Sequence, residues 1–111
     1  MLALLFAVPA AIATAQPAPT RGLAEAAHAI EAGRLEQARI MVNAAVAQGV
    51  SGDPLDRVLA DLAFAERNYV TALARYETLI MAHPAEARLS ERAGVAALHL
   101  RQLPKATAHL D

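Results

Sequence analysis

The chain has no cysteine and no tryptophan, and only two tyrosines and two phenylalanines. Without cysteine there is no disulfide framework, no thiolate metal site and no thiol nucleophile in this sequence, and no lipobox cysteine to be acylated. With aromatic residues at 4%, a core must come from close backbone approach and not from large side chains. Ten basic residues stand against eleven acidic ones, for a net charge of −1. No basic stripe marks a nucleic-acid partner. β-Branched residues are sparse, whereas alanine, leucine, glutamate, arginine and glutamine abound, a composition that favours an all-α chain.

Chemical motifs are also missing. The four histidines, His28, His83, His99 and His109, lack zinc-ligand spacing, and there is no H-E-x-x-H. Ser51 and Ser90 stand in no nucleophile-elbow motif, and hydroxyls at such places ordinarily cap helices. "QGVSGD" has neither the lysine nor the preceding strand of a phosphate loop. The expectation is a non-enzymatic protein with no catalytic residues, no cofactor and no metal.

No charged residue occurs before Arg21. "MLALLFAVPAAIATA" is apolar, too short to span a bilayer, which takes roughly 20 residues, and interrupted by Pro9. Ala13 and Ala15 form an A-x-A cleavage pattern. Residues 1–15 are therefore expected to be a signal peptide, although one without the usual basic start, and residues 16–20, "QPAPT", a short polar linker. Cleavage would leave no membrane span, and the product would be periplasmic or secreted.

From residue 19 onward the chain falls into three copies that align without a gap: 19–52, 53–86 and an incomplete 87–111. Their eighth places hold Ala26, Ala60 and Gly94; their eleventh, Ala29, Ala63 and Ala97; their twentieth, Ala38, Ala72 and Ala106. Leu35, Tyr69 and Leu103 share one large apolar place, and Val42, Tyr76 and Leu110 another. Small residues at regular places let two helices cross closely, with the bulky partner filling the space beside them. Ala60 should face Ala72, and Tyr76 should pack toward the following copy. Helices are expected near 20–32, 35–48, 54–66, 69–82, 86–100 and 104–111. Asp53 should be an N-cap before Pro54, Pro104 should open the last helix, and Gly33 should make the first turn.

This pattern resembles the tetratricopeptide repeat, in which Pro84 also finds its place and Val50 is a departure. The resemblance covers residues 21–111 and implies a right-handed α-solenoid of helix-turn-helix hairpins, about two and three-quarter repeats long. It further implies a protein or peptide partner held in the concave groove lined by the first helix of each copy. Carried across place by place, the lining would be Leu23, Ala27, Ile30 and Glu31, then Arg57, Asp61 and Phe64, then Arg88, Glu91, Val95, Leu98 and His99, with Arg92 beside them. Arg57, Asp61, Phe64, Arg88, Glu91, Arg92 and His99 are the principal candidates. The lysines and asparagines with which some members clamp a C-terminal carboxylate are absent. Together with the export signal, the repeats look like those of periplasmic assembly factors of pilus and secretion systems. An alternative is the N-terminal regulatory portion of a larger envelope enzyme.

Overall fold

The computed structural model describes residues 18–101, which form five α-helices and no strand. These are α1 (Ala18–Glu31), α2 (Leu35–Ala47), α3 (Asp53–Ala65), α4 (Tyr69–Ala82) and α5 (Ala87–Arg101). The expected bounds hold to within about two residues, as is usual at helix ends, and the helix expected at 104–111 lies outside the described residues. The first helix starts at Ala18, inside the span expected to be a polar linker. Ala18 and Pro19 suit a first helical turn, where the N–H that proline lacks would have no partner anyway.

Short turns bring consecutive helices back on one another. α1 packs on α2, α3 on α4 and α4 on α5, while α3 also rests on α1 and α2. The turns of the first two hairpins match bond for bond. In the first, Gly33 N–H donates to Ile30 O and Arg34 N–H to Ala29 O; in the second, Arg67 donates to Phe64 and Asn68 to Ala63. Each is a Schellman closure that satisfies the last carbonyls of a helix. It requires a left-handed residue, supplied by Gly33 (φ 81°) as expected and by Arg67 (φ 63°) in its counterpart. Asn68 then caps α4 by accepting from Thr71 N–H.

One expected cap is corrected. Asp53 is the first residue of α3 and not its N-cap; Gly52, at φ 91°, precedes the helix with no side-chain cap. The Asp53 carboxylate is instead turned to His83 at the end of α4.

The core has two parts. Leu23, Ala26 and Ala29 of α1 meet Ala38, Val42 and Ala45 of α2 and Leu55, Val58 and Leu62 of α3. Ala60 and Ala63, on another side of α3, meet Ala72, Tyr76 and Leu79 of α4 and Leu89 and Ala93 of α5. Ala60 and Ala72 thus share a core, and Tyr76 is fully buried within reach of the next helix, as the spacing predicts. The third copy departs from its predecessors: Ala26 and Ala60 are wholly buried, but Gly94 is exposed.

Candidate functional site

The candidate residues are gathered along one edge where α5 packs on α4 and extends side chains to α3. On α5, Arg88, Arg92 and His99 are four and seven residues apart, so they stack on one side of the helix. Each meets a different residue of the preceding hairpin. Arg88 Nη2 donates to Asp61 Oδ2 at 3.0 Å. The Arg92 guanidinium lies 4.7 Å above the Phe64 ring, a cation–π contact. The His99 ring stacks on Tyr69, with centroids 4.1 Å apart and planes within 1°.

Asp61 is the joint between three helices. Its other oxygen, Oδ1, accepts from the Tyr76 hydroxyl at 2.5 Å. Burial, with the hydroxyl's donation to Asp61 second and that carboxylate's charge third, pushes the Tyr76 phenol well above its ordinary range. Tyr76 therefore donates as the neutral phenol. Phe64 adds edge-on contacts to Tyr69 (5.6 Å) and Tyr76 (6.3 Å), which places a small aromatic cluster beneath Arg92.

Arg57 grips Glu86 with two bonds, Nη1 to Oε2 at 2.5 Å and Nη2 to Oε1 at 2.7 Å. Hydrogen bonding to Arg57 is the first cause holding the Glu86 carboxyl below the ordinary carboxylate range. Glu91 is exposed on α5.

Arg57, Asp61, Phe64, Arg88, Arg92 and His99 thus all hold helices to one another, and only then face solvent. The first-copy set fares differently. Leu23 is buried in the core and does not line a surface, and Ile30 packs against the same cluster. Leu23 stands where later copies have Arg57 and Glu91, and its apolar side chain turns inward. Leu98 is exposed and Val95 half-buried.

Sequence reasoning missed the partners of these residues, Glu86 and Tyr69 among them, and the pair formed by His83 and Asp53. One signal was present. Arg39 pairs with Glu66 and Arg88 with Asp61, each across 27 positions. Opposite charges recurring at one separation inside a periodic chain mark contacts between neighbouring units.

A shallow cleft of about 190 Å³ lined by Asp56, Ala74, Arg75, Thr78 and Leu79 lies between α3 and α4, apart from this edge. Among the described residues no group of three or more His, Asp or Glu side chains could hold a metal, and no helix is long and apolar enough to cross a membrane. No family model matches the chain, and neither a curated protein nor a solved structure matches it.

Proposed function

We propose that this chain is an exported scaffold of the tetratricopeptide type, which binds a segment of a protein partner on the surface formed by the first helices of its copies. The observation that carries the reading is the juxtaposition of α3 and α5. Arg88 on Asp61 and Arg92 on Phe64 reach by side chain between the first helices of consecutive copies, so that arginine and aromatic groups share one surface while Arg88 stays about half exposed (48%). Arginine and aromatic residues are the types most often found as binding hot spots. The hairpin turns, matched bond for bond 34 residues apart, support the repeat architecture. A role in assembly of an envelope structure fits the apolar leader followed by a helical adaptor.

Capture from a native envelope extract tests this. Phe64→Ala/Arg92→Ala should lose the proteins that wild type retains, and a true hot spot costs ~2 kcal/mol or more. Glu91→Arg, exposed and on the same helix, should alter capture without disturbing a packed contact. Glu36→Ala/Glu77→Ala, exposed on the second helices, should leave capture unchanged. Retention of the same proteins by both the Phe64/Arg92 variant and the Glu91 variant would overturn the reading. Export is tested separately by N-terminal sequencing of a periplasmic extract, where the product should begin at Gln16 or Thr14; an intact Met1 on a cytosolic product contradicts it.

A further inference from the structure

The turn between α4 and α5 is tied back to the start of α3 at two points. The His83 ring, at the end of α4, sits with Nε2 against Asp53 Oδ2, and Glu86, just before α5, is gripped by Arg57. The first copy has no equivalent: the counterparts of Asp53 and His83 are Pro19 and Gly49, and those of Arg57 and Glu86 are Leu23 and Gly52. The two junctions differ in apolar content as well. α3 buries Leu55, Val58 and Leu62 against the first hairpin, whereas α5 offers Leu89 and Ala93 to the second. The polar ties add to this apolar contact at the base of α5.

One of those ties can be switched. The groups facing the His83 ring are the Asp53 carboxylate and, close enough to feel the imidazolium charge, Glu86. The cations nearby are Arg57, already engaged with Glu86, and Arg88 of α5. The last turn of α4, residues 79–82, carries no charge. A protonated ring therefore pairs with the Asp53 carboxylate in the field of the Glu86 charge, while a neutral ring keeps at most one hydrogen bond. His83 and Asp53 are both part-exposed, so protons reach them freely.

We propose that His83 and Asp53 form a pH-dependent clasp: with the imidazole protonated, the α4–α5 turn is fastened to the first turn of α3 and α5 is held down, and with the imidazole neutral the fastening loosens and α5 opens more often. Because Arg88 and Arg92 ride on α5, the clasp would regulate the binding surface proposed above, and in that respect it rests on that reading. The mechanical step stands on the pairing alone.

Amide hydrogen exchange of the full chain, followed by NMR without any partner and corrected for intrinsic rates, tests it. Protection of residues 91–96 should be about two- to five-fold greater near pH 5.5 than near pH 7.5, the range open to an exposed ion pair across the region where histidine titrates. In His83→Gln the ratio should fall to one. In His99→Gln, which removes the imidazole stacked on Tyr69, it should persist. Should His83→Gln fail to fold, Asp53→Asn must abolish the ratio instead. Equal protection at the two pH values in wild type, persistence of the ratio in His83→Gln, or its loss in His99→Gln would overturn the clasp. Because no partner is present, each of those outcomes leaves the capture result untouched.

Discussion

Arg67 shows at single-residue scale how a repeat tolerates a poor local choice. It holds the left-handed conformation (φ 63°) that Gly33 holds in the preceding hairpin (φ 81°), at a cost of roughly 1–2 kcal/mol for a residue with a Cβ. Two substitutions should therefore act in opposite directions. Gly33→Ala should destabilise by about 1 kcal/mol; a Cβ there meets nothing within 4 Å, so the loss is conformational and not steric. Arg67→Gly should stabilise by about 0.5 kcal/mol after the extra entropy of glycine in the unfolded chain is subtracted. Urea unfolding midpoints with unchanged slopes would check both; a stabilising Gly33→Ala would contradict the shared turn geometry. The alanine places make a second residue-scale test. Ala72 is wholly buried and Ala74 is exposed, so Ala72→Leu should cost about 1–3 kcal/mol by overpacking and lower the melting temperature far more than Ala74→Leu. Equal effects would sink the assignment of Ala72 to the helix crossing.

Among helices, the ties at the base of α5 have a pH signature on the acid side too. Arg57 holds the Glu86 carboxyl below its ordinary range, so the folded chain takes up that proton less readily than the unfolded one. Stability from the pair is present above the ordinary carboxylate range and is lost as pH falls through the lowered value. Thermal melts from neutral pH downward should show a part of the acid destabilisation that disappears in Arg57→Gln; an unchanged acid limb would show that the pair contributes nothing. The periodic alanines, the tyrosine at Tyr76 and the turn at Gly33 were legible in the sequence because close packing and left-handed turns admit few residue types. The roles of Asp61, Arg57 and Arg92 were not. A charged residue on a helix face satisfies solvent, a partner or a neighbouring helix equally well, and only the relative placement of α3 and α5 decides that Asp61 receives both Tyr76 and Arg88. Asp53 was misread for a related reason: an Asp-Pro start fits capping, but Gly52 took that place and freed the carboxylate for a contact 30 positions away.

Across the whole molecule, α3 is the element on which both cores depend. It gives Leu55, Val58 and Leu62 to one core and Ala60 and Ala63 to the other, and it packs on α1 and α2 on one side and on α4 on the other. Truncations on α3 and on α5 should therefore propagate differently. Leu62 and Leu89 are both almost fully buried, at 1% and 0% exposure, so each Leu→Ala change should cost about 2–5 kcal/mol locally. Leu62→Ala weakens the junction through which the two cores are joined, and amide protection should fall in every helix. Leu89→Ala removes the main apolar anchor of α5, the last of the described helices, so α5 should lose protection first and the α4 face beneath it next, with α1 and α2 little changed. Helix-resolved hydrogen exchange on both variants separates the cases. If Leu89→Ala lowers protection in α1 and α2 as much as in α5, the described helices open as a single cooperative unit, and the division of the core about α3 has no energetic meaning.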